Sequence, residues 1–131
     1  MNGYITNIEQ ATQANTSFRH VLYTAKHSQL VLMHLEPKEE IGMEIHKLDQ
    51  FIRIERGNAV AILDGVEHEL EDGAAVVIPA GTKHNIVNTS TTEPLKLYTV
   101  YSPPEHKDGT VRLSKADALD HEEHFDGRTT E

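Results

Sequence analysis

Four side chains in two short segments have the types and spacing to hold a divalent metal ion. In GMEIHKLDQ, Glu44 and His46 are two residues apart and Gln50 lies four beyond His46. Even offsets put side chains on one face of an extended backbone, so the three converge wherever the chain stays extended. The second segment, GAAVVIPAGTKHNIVN, contributes His84. Gly73 opens a tight turn, Ala74 to Ile78 read as a buried strand, Pro79 ends its ladder, and Gly81 permits the bend that delivers His84 to the start of the next strand. Asn88, four residues on, shares the face of His84 on a regular strand and has a side chain able to hold the turn that follows. Two imidazoles, a carboxylate and an amide oxygen suit zinc, nickel, manganese or iron. The chain has no cysteine, so nitrogen and oxygen are the only ligand atoms to expect.

The elements that must position these groups read as β-strands. Short apolar runs separated by turn residues predict strands near 18–24, 29–35, 43–46, 50–55, 59–63, 66–70, 74–78, 84–88 and 95–101. Asp64-Gly65 between AVAIL and VEHEL predicts a two-residue hairpin. Residues 1–17 read as an arm or a short edge strand, 18–101 as an all-β barrel, and 102–131 as a loop, a short helix and a frayed tail. Ser114 and Asp117 resemble a capping box that opens the helix at about 115–122.

On these residues the chain resembles a small single-domain cupin of the conserved-barrel (cupin-2) type. The second cupin motif, G-x5-P-x-G-x2-H-x3-N, is met by Gly73, Pro79, Gly81, His84 and Asn88. The first, G-x5-H-x-H-x3,4-E-x6-G, is met by His46 and Gly57 and departs at three places: Lys38 replaces the first Gly, Glu44 the first His and Gln50 the Glu. Glu44 with Gln50 retains the single negative charge of the usual ligand set. The resemblance implies a double-stranded β-helix, or jelly-roll, barrel with the metal bound by Glu44, His46, Gln50 and His84. By ligand type it is similar to the mannose-6-phosphate isomerase-like cupins, with the ligands in a different order along the chain, and to cupins that act on unsaturated uronate sugars. The function so implied is a metal-dependent, isomerase-like enzyme acting on a small sugar or sugar-like carbonyl. An iron-dependent dioxygenase and a non-catalytic sugar-binding module are the alternatives.

An isomerase also needs an acid or base beside the metal. His34 in LVLMHLEP and Tyr98 and Tyr101 in LKLYTVYS are the candidates, each able to face the barrel interior or its outer surface. His106 and Asp108 in PPEHKDG stand where a mouth or lid would be, with loop solvation the simpler expectation. His121 and His124 lack the H-E-x-x-H order of a zincin and read as a solvated tail.

Composition sets the partners. Among 131 residues, twelve Lys and Arg against twenty-one Asp and Glu give a net charge of -9, a field that repels phosphate backbones and anionic lipid. We therefore expect a small-molecule substrate and neither nucleic acid nor membrane as partner. No apolar run approaches the roughly 20 residues of a membrane span, which makes the cytoplasm the expected compartment. Edge-strand pairing, as in many barrels, makes a homodimer the expected assembly.

Overall fold

Alternation of apolar and polar residues builds two antiparallel sheets that close face to face around one core. The structure, a computed structural model, describes all 131 residues. Ten strands run as β1 (Arg19–Thr24), β2 (Gln29–Leu35), β3 (Glu44–Ile45), β4 (Asp49–Arg56), β5 (Ala59–Leu63), β6 (Val66–Leu70), β7 (Ala75–Ile78), β8 (Lys83–Asn88), β9 (Leu95–Ser102) and β10 (Val111–Arg112). One sheet has the order β10-β1-β2-β9-β4-β7 and the other β3-β8-β5-β6. In β4, Gln50, Ile52 and Ile54 point inward, and Leu95, Leu97, Thr99 and Tyr101 of β9 do the same beside them. The apolar side chains among these meet Val31, Met33 and Leu35 of β2, with Ile78 and Ile86 from β7 and β8, in one cluster.

All nine expected strands form, and the turns between them use the predicted chemistry. At the β5–β6 hairpin Asp64 has φ 47° and Gly65 φ 83°, the pair of positive values that a type I′ turn demands. Gly57, after β4, has φ 105°, and a Cβ there would lie 2.7 Å from the Pro94 carbonyl oxygen. Only glycine fits between those two backbones.

Two parts of the chain differ from expectation. Residues Ile8–Ala14 form a helix, α1, instead of an arm or edge strand. Asn7 caps it by accepting from the Gln10 N–H, and fully buried Thr12 turns toward the sheet. Helix α1 lies on the outer face of β2, β9 and β4, where the Gln13 amide donates to the Glu55 carbonyl and Lys96 Nζ to that of Asn15. The C-terminal segment is docked and not frayed. Helix α2 (Lys115–Asp120) starts at the expected Ser114 cap, the Phe125 N–H donates to the Glu105 carbonyl at 2.9 Å, and the Thr130 N–H reaches the Thr24 carbonyl. Neither helix is long and apolar enough to cross a membrane.

Candidate metal centre

The two motif segments meet because their backbones are bonded to each other. Strand β3 pairs with β8 so that Glu44 lies directly opposite His84, and the Gly81 N–H donates to the His46 carbonyl at 2.8 Å. The bend at Pro79–Gly81 thus fixes His46 as well as His84. Potential ligand atoms of Glu44, His46 and His84 all lie within 4.8 Å of one another. The His46 and His84 rings are 5.2 Å apart, and Glu44 Oε2 is 2.6 Å from His46 Nε2. His84 Nδ1 donates to the Thr82 carbonyl at 2.8 Å, which leaves Nε2 as the atom free to bind a metal.

The electrostatics are those of a preformed anion–cation site. Burial works against charge on Glu44, yet its hydrogen bond to His46 and the nearby imidazoles outweigh that and hold its carboxyl below the usual range. Burial likewise disfavours a charged His46, but Glu44 and Glu105 prevail and raise it. Gln50 points into the barrel between Ile78 and Tyr101. Its Nε2 donates to Thr99 Oγ1 at 3.0 Å, while its Oε1 is buried with no hydrogen-bond partner. A buried acceptor without a donor fits a group meant for a cation. Taken with the two imidazoles and the carboxylate of the triad, the donor set suits a divalent ion.

Of the three acid–base candidates the structure brings one to the site. Tyr101 places its ring edge-on to His46 at 5.9 Å and to His106 at 5.2 Å. His34 is corrected: it lies on the outer face of β2 beneath α1, with Lys96 Nζ 3.1 Å from Nδ1 and Glu36 3.2 Å from Nε2. Tyr98 is corrected for the same reason of parity, since it stands beside Phe51 on the outer face of the sheet. His106 is also corrected. It is buried, not solvated, with Nε2 3.4 Å from Tyr101 Oη and Nδ1 3.2 Å from Glu123 Oε1.

Residues that spacing did not reveal complete the mouth. Glu123 is gripped by Arg112 at 3.0 Å and Arg19 at 3.5 Å, and His124 lies 3.5 Å from Glu105. Between this segment and β3 opens a cleft of about 470 Å³, whose walls include Glu44, His46, Glu105 and His106. The only sequence signal for it was a histidine in a proline-bounded loop.

We expect this docking to be acid-sensitive, with a sign that follows from two groups. Burial, the leading influence, holds His106 below its ordinary value of 6.5, so the undocked segment binds a proton more readily than the docked one. Burial opposes ionisation of Glu123, but His106, Arg19 and Arg112 overcome it and hold its carboxyl below 4.5. Both contributions are complete at neutral pH. The histidine part is lost first as pH falls below 6.5, and the carboxylate part follows below 4.5. We expect the Phe125 NMR signals to move toward coil values over that acid range while those of β4 and β9 stay in place. Unchanged Phe125 signals down to the global unfolding pH would contradict this.

The geometry can now be set beside known proteins. The profile of the family described as "Cupin domain" matches residues 31–101, from β2 to the end of β9. The chain is a cupin. A crystal structure of BH2720 from Bacillus halodurans shares this cupin's fold with a TM-score of 0.89 at 42% identity, covering 92% of this chain and 96% of that one. The uncharacterized protein YrkC of Bacillus subtilis (strain 168) is 46% identical over 123 residues, which span 88% of this cupin and 66% of YrkC. The uncharacterized protein L612 of Acanthamoeba polyphaga mimivirus is 48% identical over 116 residues, or 86% of this cupin and 72% of L612. The chain therefore spans about two thirds of the length of these relatives.

Proposed function

We propose that this cupin is a metal-dependent enzyme acting on a small sugar or sugar-like carbonyl, in the manner of the mannose-6-phosphate isomerase-like cupins. The observation that carries the reading is the convergence of Glu44, His46 and His84 ligand atoms within 4.8 Å, with Glu44 and His46 on the wall of an open cleft. Gln50, through its unpartnered Oε1, is the fourth ligand in this proposal. A divalent zinc, nickel, manganese or iron ion bound there supplies Lewis-acid polarisation of a carbonyl or enediolate oxygen.

The acid–base work falls to the protein. His106 faces the cleft, and burial keeps it neutral. Its Nδ1 lies 3.2 Å from Glu123 Oε1, and its Nε2 faces Tyr101 Oη at 3.4 Å. Burial, with Glu44 nearby, keeps Tyr101 a protonated phenol. His106 on the cleft wall and Tyr101, whose Oη lies 3.4 Å from His106 Nε2, are the acid–base pair of this proposal.

The test is solvent isotope exchange. Zinc-, nickel-, manganese- and iron-loaded protein is incubated in D2O with phosphorylated and free aldoses and ketoses, and deuterium is sought at the carbon beside the carbonyl. Exchange with aldose–ketose interconversion supports the proposal. A second reading rests on the triad itself, since two histidines and one carboxylate are also the set used by iron-dependent oxygenases. Oxygen consumption by the iron form, without exchange, would replace the isomerase with that reading. Thermal stabilisation by sugars without either turnover would leave a binding module. A homodimer belongs to the same proposal and is read by light scattering, and a cytoplasmic location is read by cell fractionation.

A further inference from the structure

We infer that Glu105 is the carboxylate that orients His46 for metal binding, so that the loop after β9 is part of the metal centre. The inference rests on the proposed metal site and adds a positioning residue to it. A metal-binding imidazole generally donates its other ring N–H to a carboxylate or carbonyl, which fixes the tautomer and raises the basicity of the ligating nitrogen. His84 already has such a partner in the Thr82 carbonyl. For His46, Nε2 faces Glu44 and the atom on the far side of the ring, Nδ1, faces Glu105 Oε2 at 3.7 Å.

At 3.7 Å Glu105 stands beside that nitrogen without a hydrogen bond to it. With Nε2 given to a metal, the ring proton would reside on Nδ1, and Glu105 is the carboxylate that would close on it as acceptor.

A second observation shows that the loop is built to hold that position. Gln29, at 1% exposure, spends its amide on this loop: Oε1 accepts from the His106 N–H at 2.9 Å and the Glu105 N–H at 3.3 Å, and Nε2 donates to the His106 carbonyl at 2.7 Å. The Phe125 N–H holds the Glu105 carbonyl from the other side. A buried glutamine and the C-terminal tail together fix one residue whose carboxylate faces His46.

The experiment compares the full-length wild type with Glu105→Gln and Glu105→Ala, zinc affinity being measured by chelator competition. Glu105→Gln is isosteric and keeps an acceptor without the charge; Glu105→Ala removes both. We expect zinc affinity to fall by about 10-fold to 100-fold, more for Ala than for Gln. The second readout is the His46 ring in long-range ¹H–¹⁵N spectra of zinc-loaded protein, where a slowly exchanging Nδ1–H should be present in the wild type, exchange faster in Glu105→Gln and be lost in Glu105→Ala. Folded variants that bind within twofold of the wild type and retain that proton would overturn the role of Glu105 and leave the metal site standing. Failure of the wild type to bind zinc, nickel, manganese or iron would instead overturn the metal reading on which the inference rests.

Discussion

A His84→Ala chain should lose metal affinity by about 100-fold or more, beyond the 10–100-fold typical of removing a ligand's hydrogen-bond partner. The imidazole is one of two neutral nitrogen ligands, its Nε2 is aimed by the Thr82 carbonyl, and Glu44 stands opposite it across the β3–β8 pair. The apo fold should survive, because the β5–β8 ladder and the Gly81–His46 backbone bond are untouched. The effect is readable without activity. Metal at about 100 times its dissociation constant stabilises the folded state by roughly 2.7 kcal/mol, which for a chain of this size raises the melting temperature by on the order of 10 °C. The wild type should show that rise with zinc, and His84→Ala should not. Equal zinc-induced shifts in the two proteins would exclude His84 as a ligand.

The largest effect on stability is expected at Asn88. This side chain is fully buried; Nδ2 contacts the carbonyls of Leu35, Glu36 and Glu93 at 2.9–3.2 Å, and Oδ1 accepts from the Ser90 N–H at 3.0 Å. It staples the end of β2 to the turn between β8 and β9. Asn88→Leu preserves the volume and strands those backbone groups away from water, each at a cost of about 1–3 kcal/mol. We expect a loss of about 3 kcal/mol or more by urea denaturation. Asn88 pairs with Ala59 at the far end of β8 from His84, so zinc affinity of the folded variant should stay within about twofold of wild type. A loss below about 1 kcal/mol would show that the turn holds itself without the amide.

Much of the barrel was legible because its signals are local. Gly73, Pro79, Gly81 and Asn88 each do what their backbone chemistry dictates, and Asp64-Gly65 forms the turn it predicts. Glu44 and His46 meet because the even offset survives from β3 into the residue that follows it. Strand parity failed where both faces are covered. Six of the seven residues of β2 are buried, since α1 packs over its outer face, so nothing in the pattern distinguishes His34 outside from Met33 inside. The same cover hid the difference between Tyr98 and Tyr101. Helix α1 escaped notice because its one fully buried side chain is a threonine, Thr12, which an apolar-periodicity reading does not count. The mouth was illegible for another reason. Arg19 meets Glu123 from the opposite end of the chain, and Gln29 holds Glu105 and His106 across 76 and 77 residues, separations that no spacing rule connects.

The central claim is that Glu44, His46 and His84 hold a metal ion, and the most direct measurement is the metal content of untagged protein purified without added metal, followed by titration of the apo form. We predict near-stoichiometric zinc, nickel, manganese or iron, and one site restored on titration. Protein that carries none of these and takes up none would contradict the account and leave a cupin barrel whose polar groups serve only to hold its fold.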